Sequence, residues 1–191
     1  MDKMYGKTLV FLISGKAGVG KSTFGKIVYN IYTEIGKRAI TVPFASGIKR
    51  VCKVLGWDGE KDEKGRRLLI AVGQVLREYD VNTWAKIAEM EIHDTLIPYD
   101  VVIIDDWRFP NEMEFMEGSP EYEVITVRIN SSSREMLKDT EFYNDISETS
   151  LPESGEIYEF EILNEGNTIE DLKLVADTVT KVIDDRLEKF E

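Results

Sequence analysis

The chain has 191 residues, with 36 acidic and 24 basic side chains that leave a formal net charge of −12. Its length supports one domain over 1–191 that needs no disulfide or metal, and its single cysteine and single histidine exclude an internal disulfide and cysteine- or histidine-rich metal sites. The negative charge disfavours an extended nucleic acid, and the longest apolar stretch, 9–13, is too short for a bilayer, so we expect a cytoplasmic protein without membrane contact.

The first predicted elements are a strand, a helix and a second strand. Residues 8–13 form a nearly continuous apolar run, which is typical of a strand buried on both faces of a parallel sheet. Apolar residues then recur at helical spacing over 21–35, and Gly36 follows as a C′ residue would. The next strand is predicted at 38–44.

The middle of the chain is predicted to be helical before a second buried strand. Helical periodicity is present over three segments, 46–55, 66–79 and 83–97. The run 99–104 has the composition of a buried strand, and Pro110 suits the first turn of the helix that follows.

The last predicted elements are two strands and a long helix. The strands are expected at 122–129 and 157–163, and an amphipathic helix over 168–190 begins after Thr168 or Asn167 as its cap. The charged or serine-rich stretches 56–65 and 130–155 are predicted to be surface excursions.

Five strands that alternate with helices predict an α/β fold of three layers, in which helices cover both faces of a five-stranded parallel sheet. Ligands of such sheets bind beyond the carboxyl ends of the strands. The functional residues are therefore expected at that edge.

A phosphate-binding motif follows the first strand directly. The sequence GKAGVGKST over 15–23 is a full match to G-x-x-x-x-G-K-[ST]. In such a loop, backbone N–H groups and the helix dipole hold phosphates, the lysine reaches their oxygens, and the serine holds Mg²⁺. We therefore predict binding of ATP and Mg²⁺ by Gly15, Ala17, Gly18, Val19, Gly20, Lys21, Ser22 and Thr23.

The motif alone leaves several classes of nucleotide-binding protein open. A GTPase would be expected to carry an N-K-x-D tetrad, which the sequence lacks, and a motor ATPase usually needs a longer chain. The length best fits a kinase that acts on a small molecule.

Four further stretches occur in an order that resembles a known family. They are FASGIK at 44–49, RRLLIAVG at 66–73, DDWRFPNE at 105–112, and ISETSLP at 146–152 with the later NEGNT at 164–168. Together with the 15–23 motif they resemble the deoxynucleoside monophosphate kinases typified by tailed bacteriophages. The resemblance implies a P-loop kinase fold with a helical acceptor-binding region over about 45–98 and a lid over about 130–150.

Two aspartates end the predicted buried strand at 99–104. Asp105 is placed where a carboxylate reaches Mg²⁺, so Ser22 and Asp105 are the predicted metal ligands. Asp106 is its neighbour, and one or both are predicted to be catalytic together with Lys21.

Basic and aromatic residues supply the predicted acceptor site. Lys49, Arg66 and Arg67 are candidates to bind the acceptor phosphate, because arginines that open a helix oppose its dipole and suggest a ligand anion. Trp84 either stacks on a nucleobase or fills the core. Arg108 and Glu112 either address the base or form a surface ion pair at i, i+4 spacing.

The remaining candidates lie near the lid and the last strand. Arg134, in a predicted capped short helix, is a candidate to neutralise the transferring phosphoryl group, as is Arg108. The resemblance implies that Asn164 and Gly166 belong to the loop that frames adenine.

The sequence thus predicts an enzyme that transfers phosphate from ATP to a (deoxy)nucleoside monophosphate, a small-molecule acceptor, and leaves a homodimer open. The alternatives are a kinase with a hydroxyl acceptor, which needs an acid such as Asp106 as base, and a non-catalytic nucleotide-binding module.

Overall fold

The computed structural model describes residues 6–134, 137–155, 158–165 and 168–190. Five parallel strands form one sheet in the order β2-β3-β1-β4-β5. Their bounds are β1 Thr8–Ser14, β2 Ala39–Thr41, β3 Val101–Ile104, β4 Tyr122–Asn130 and β5 Phe160–Leu163.

The central strand explains the continuous apolar run at the start of the sequence. All seven residues of β1 are buried, because β3 and β4 flank it and helices cover both faces. The loop that follows β1 therefore begins at the middle of the sheet's carboxyl edge.

Seven α-helices in the described residues cover the two faces of the sheet, and the α/β fold predicted from the sequence is confirmed. Helices α1 and α7 pack on one face, while α2, α4 and α5 pack on the other. The bounds are α1 Lys21–Glu34, α2 Ala45–Val54, α3 Glu63–Tyr79, α4 Thr83–His93, α5 Pro110–Glu117, α6 Ile146–Ser154 and α7 Ile169–Leu187. No helix in this part of the chain combines the length and the apolar character needed to cross a membrane.

Three predicted boundaries differ from the structure for local reasons. Strand β2 ends at Thr41, because Pro43 has no N–H to donate to a ladder. Helix α3 begins at Glu63, three residues before the predicted start, because the Asp62 side chain accepts from the N–H of Gly65. Helix α4 ends at His93, four residues before the predicted end, and the restriction that Pro98 places on Ile97 accounts only for the last of these four residues.

One helix lies inside a stretch predicted to be a surface excursion. Helix α6 begins after Asp145, whose side chain accepts from the N–H of Ser147. The short helix predicted around Arg134 is absent over 131–134, and its remainder lies outside the described residues. Thr168 caps α7 as predicted, whereas Asn167 lies outside the described residues.

Candidate active site

The loop over residues 15–23, here called the P-loop, requires glycine at two of its positions. Gly15 has φ 145°, and a Cβ there would lie 2.3 Å from the carbonyl oxygen of Ile129. Gly20 has φ 109°, and a Cβ there would lie 2.7 Å from Asn164 Nδ2. Both positions exclude any side chain, so the backbone of this loop is shaped by contacts with β4 and with the end of β5.

Asn164 holds the P-loop rather than offering its side chain to a base. Its side chain is buried, and Nδ2 donates to the carbonyl oxygen of Val19 at 2.8 Å. The resemblance predicts that the loop beginning at Asn164 frames adenine through backbone groups, and this side-chain contact leaves that prediction untested. Gly166 lies outside the described residues.

Lys21 folds back over the P-loop. Its Nζ donates to the carbonyl oxygens of Gly15 at 2.7 Å and Lys16 at 2.8 Å. Burial, with a smaller contribution from the charge of Arg108, lowers the pKa of Lys21 to about 7. A bound phosphate would compensate both effects, so the amine is placed to respond to an anion in the loop.

Ser22 and Asp105 provide oxygen atoms that fit Mg²⁺. Asp105 lies beside α1, with its Cβ 3.5 Å from the Cβ position of Gly25, one turn after Ser22. Within the described ranges, neither the Ser22 hydroxyl nor the Asp105 carboxylate has a hydrogen-bond or ion-pair partner. Two hard oxygen ligands suit Mg²⁺ when phosphates and water complete its shell.

Asp106 has a structural contact that the sequence did not reveal. Its two carboxylate oxygens accept from the N–H groups of Phe44 at 2.8 Å and Ala45 at 3.0 Å. These bonds join the end of β3 to the start of α2, and burial raises the pKa of Asp106. The two bonds position the start of α2, and the role of Asp106 in catalysis stays a prediction.

Arg108 and Glu112 do not form the predicted pair. Arg108 Nη1 lies 2.6 Å from Glu148 Oε1 and also donates to the carbonyl oxygen of Ser147 at 3.1 Å. The buried Glu112 caps α5, since its Oε2 accepts from the N–H groups of Arg108 and Phe109. The surface ion pair between these two side chains is therefore not formed, whereas the hypothesis that they address the base stays a prediction.

Glu112 faces a buried arginine on the other side. Its Oε1 lies 3.7 Å from Arg77 Nη2. Burial raises the pKa of Glu112 to about 7, although Arg77 and the two backbone donors favour the charged form. This carboxylate therefore joins α5 to α3 in the interior.

Trp84 belongs to the core. Only 1% of its surface is exposed, and Nε1 donates to the carbonyl oxygen of Gly73 at 3.0 Å. Its ring also limits the space at Gly47, where a Cβ would lie 3.0 Å away. Of the two roles considered from the sequence, the core role fits and the stacking role does not.

Basic residues of α2, α3 and the preceding loop lie near one another. The pKa of Lys61 is lowered by partial desolvation and by the charges of Lys49 and Arg66. In the described residues, none of these three cations has an acidic partner within ion-pair distance. Arg66 lies in the second turn of α3, so the helix-dipole argument made from the sequence does not apply.

Arg67 points to a different set of neighbours. It pairs with Glu63 and Glu141, each at 2.9 Å. A cavity of about 500 Å³ lies between this part of α3 and residues 137–142, lined by Glu63, Arg66, Arg67, Leu137, Thr140, Glu141 and Phe142.

Two arginines near β4 differ in burial. Arg134 is exposed, at the start of the predicted lid. Arg128, on β4 beside Ser14 of β1, is buried, and its Nε donates to Asn130 Oδ1 at 3.2 Å. Arg128 is therefore the arginine of the pair that the sheet places next to the start of the P-loop.

Sequence reasoning missed two residues of this site. Lys61 lies in a charged loop that was predicted to be a surface excursion. Glu148 lies in a stretch without strong periodicity. A sequence signal existed for Glu148, which lies in the fourth family-like stretch, but nothing in it indicated contact with the P-loop.

Comparison with known proteins gave matches to solved structures alone. No family model matches the sequence, and no curated protein matches it. The chain is similar to an APS kinase of Mycobacterium tuberculosis, with a TM-score of 0.48 and 10% identity over 93% of this chain and 97% of that one. It is also similar to a shikimate kinase of Aquifex aeolicus, with a TM-score of 0.43 and 16% identity over 94% and 99% of the two chains. The chain is similar as well to a thymidylate kinase of Ehrlichia chaffeensis, with a TM-score of 0.45 and 13% identity over 92% of this chain and 99% of that one.

Proposed function

We propose that this chain is an ATP- and Mg²⁺-dependent kinase that phosphorylates a (deoxy)nucleoside monophosphate. The P-loop supports the donor half of this proposal, because it combines a full sequence match with glycine-only backbone geometry and a lysine held at its centre. Ser22 and Asp105 would hold Mg²⁺, which would supply positive charge to neutralise the phosphates.

The observation that carries the acceptor half is the cationic group formed by Lys49, Lys61 and Arg66. In a chain with a net charge of −12, these three cations have no ion-pair partner in the described residues, and their repulsion is offset only in part by the charge of Asp106, which reaches Lys61. An anion bound there would offset the rest. The charge of Arg108 also reaches Lys61, so this group adjoins the residues around the P-loop. A phosphate monoester is the acceptor that these cations suit.

Phosphoryl transfer to such an acceptor does not require a general base from the protein. An acceptor phosphate has its second pKa near 6, so its oxygen is already a nucleophile at neutral pH and needs no general base. The protein then contributes positioning and charge neutralisation, through Lys21, Arg108 and the cationic group. Asp106, with both oxygens engaged by the start of α2, does not offer the free base that a hydroxyl acceptor needs.

The test is an acceptor screen that measures ADP release from ATP with Mg²⁺. We expect release that depends on a nucleoside monophosphate, with little from the matching nucleosides or from buffer alone. Release with nucleosides but not with monophosphates would favour a hydroxyl kinase, whereas ATP binding without any transfer would favour a non-catalytic module.

A pair of variants tests the cationic group itself. Lys61→Gln should raise the KM for the accepted monophosphate while the KM for ATP stays the same, because it removes one of the cations assigned to the acceptor. Lys64→Gln is the matched control, since Lys64 is exposed on the neighbouring first turn of α3. Equal behaviour of the two variants would refute the assigned site.

A further inference from the structure

The segment over residues 141–148 lies directly on the P-loop. Lys16 Nζ donates to the carbonyl oxygen of Tyr143 at 3.1 Å and lies 3.9 Å from the centre of its ring. Farther along the chain, the N–H of Ala17 donates to Glu148 Oε2 at 3.2 Å. The P-loop and this segment are therefore held together by two consecutive P-loop residues.

Both carboxylate oxygens of Glu148 have partners in this region. Its side chain is only 6% exposed, one oxygen accepts from Ala17, and the other lies 2.6 Å from Arg108 Nη1. Its charge also acts on the Lys21 amine, where it favours the protonated form. This carboxylate accepts from a P-loop N–H group, pairs with an arginine and interacts electrostatically with the lysine. A nucleotide phosphate is expected to have the same surroundings.

The carboxylate and a phosphate cannot share these contacts. A single N–H group makes one good hydrogen bond, and two anions at contact distance in a partly dehydrated loop repel each other strongly. A phosphate that binds to the Ala17 N–H must therefore displace Glu148, and the displaced carboxylate gives up Arg108.

We infer that Glu148 is an intramolecular occupant of the phosphate site, which holds the 141–148 segment closed until a nucleotide replaces it. Binding of the phosphates moves Glu148 out of the P-loop and transfers Arg108 from the carboxylate to the phosphate. The inference rests on the proposed function only in that the P-loop binds nucleotide phosphates, and it does not depend on the acceptor.

Because Glu148 competes for the site, the affinity for nucleotide is lower than that of an unoccupied P-loop. When the competent state is only a fraction of the population, the apparent Kd rises by the inverse of that fraction. Removal of the Glu148 charge should therefore strengthen nucleotide binding, whereas removal of a residue that simply contacts the ligand would weaken it.

The test compares MgATP binding by calorimetry, with no acceptor present, in the wild type and in Glu148→Gln. Glutamine keeps the shape and loses the charge, and we expect the Kd to fall on the order of tenfold. Asp139→Asn is the matched control, because Asp139 is an exposed acid close to the same segment and the substitution makes the same change in net charge. Its Kd should match the wild type.

A second variant, Glu148→Asp, tests the inference if Glu148→Gln does not fold. Glu148→Asp keeps the charge on a shorter side chain that reaches the Ala17 N–H less well, so its Kd should also fall, by a smaller factor. An unchanged or higher Kd in a folded Glu148 variant overturns the inference.

The outcomes also separate this inference from the proposed function. Tighter MgATP binding by Glu148→Gln without transfer to any monophosphate would support the inference and overturn the proposed function. Failure of both folded proteins to bind MgATP would overturn both.

Discussion

Four carboxylates of the candidate site and its supporting helices have the same chemistry and different contacts. Asp105 has no protein partner in the described ranges, Asp106 and Glu112 accept backbone N–H groups at helix starts, and Glu148 occupies the phosphate site. Only the first is the metal ligand in the proposed function. The partner of each carboxylate, rather than its position in a motif, separates the four roles.

Lys21 is the residue whose replacement should affect the reaction most. Lys21→Met is expected to lower turnover on the order of 10²-fold or more, because it removes a charge directed at the phosphates. ADP release with the accepted monophosphate measures the effect. Lys26→Met, an exposed lysine on the same helix, is the control and should retain turnover. Equal turnover in the two variants would contradict the donor site.

Glu112 should make stability depend on pH. Its native pKa is raised from 4.5 to about 7, so between these values the folded state holds a proton that the unfolded state has released. The contribution of this group to the free energy of unfolding therefore falls as pH rises from 4.5 to about 7. Denaturant unfolding should show that the stability of the wild type relative to Glu112→Gln decreases over this window.

The control for that series is Glu114→Gln, since Glu114 is exposed on the same helix. Its stability relative to the wild type should change little over the same range. A flat difference for Glu112→Gln as well would mean that the buried carboxylate is ionised throughout.

Trp84 should behave as a core residue. Trp84→Ala is expected to lower the free energy of unfolding by about 3–5 kcal/mol, because it empties a buried site and removes the donor to Gly73. Trp84→Phe keeps most of the ring volume and should cost less. Full stability of the alanine variant with a raised KM for the acceptor would restore the stacking hypothesis.

At the scale of the elements, helix starts place the site residues. Asp62 begins α3 and so determines where Arg66 lies, Asp106 holds the start of α2, and Asp145 begins α6 ahead of Glu148. Each start is fixed by one carboxylate that accepts from backbone N–H groups. The acceptor side of the site therefore depends on capping contacts as much as on packing.

Asp62 offers a direct test at this scale. Asp62→Ala should lower the free energy of unfolding by about 1 kcal/mol, because it leaves the N–H of Gly65 without its side-chain acceptor. Asp62→Asn keeps an acceptor in place and should cost much less. Urea unfolding measures both, and equal losses would show that the cap does not stabilise α3.

At the scale of the whole molecule, basic residues are concentrated at the candidate site although the chain as a whole is acidic. The chain carries a net charge of −12, yet the region around the P-loop and the acceptor side brings together basic residues from separate elements, namely Lys21, Lys49, Lys61, Arg66, Arg108 and Arg128. The carboxylates of Asp105, Asp106 and Glu148 also act on Lys21, so the region contains charges of both signs with the basic residues in excess. This local excess favours binding of an anion such as the proposed nucleotide.

Nucleotide binding should stabilise the whole fold. At about 100 times its Kd, MgATP is expected to raise the free energy of unfolding by about 2.7 kcal/mol, since it binds the folded state alone. Thermal melting at fixed Mg²⁺ measures the shift, and Lys21→Met is the control, in which the shift should be smaller. A melting temperature that does not respond to MgATP would argue against the donor site.

The sequence by itself determined the parts of this protein that depend on local pattern. The buried run of β1, the P-loop, the helical spacing of α1 and α7 and the Thr168 cap each follow from residues close together in the chain, and the structure contains them. Alternation of strands and helices was also enough to predict the parallel sheet, because short chain connections leave few other arrangements.

The tertiary structure alone decided which side chains meet. The Trp84 ring is buried and donates to Gly73, and Glu112 lies against Arg77. Glu148 pairs with Arg108 and accepts from the P-loop, 131 positions away in sequence. Periodicity and capping rules concern neighbours in sequence, whereas the burial of a polar side chain depends on partners brought by other elements. The candidate site therefore takes its P-loop from a local motif and the surrounding side-chain contacts from long-range packing.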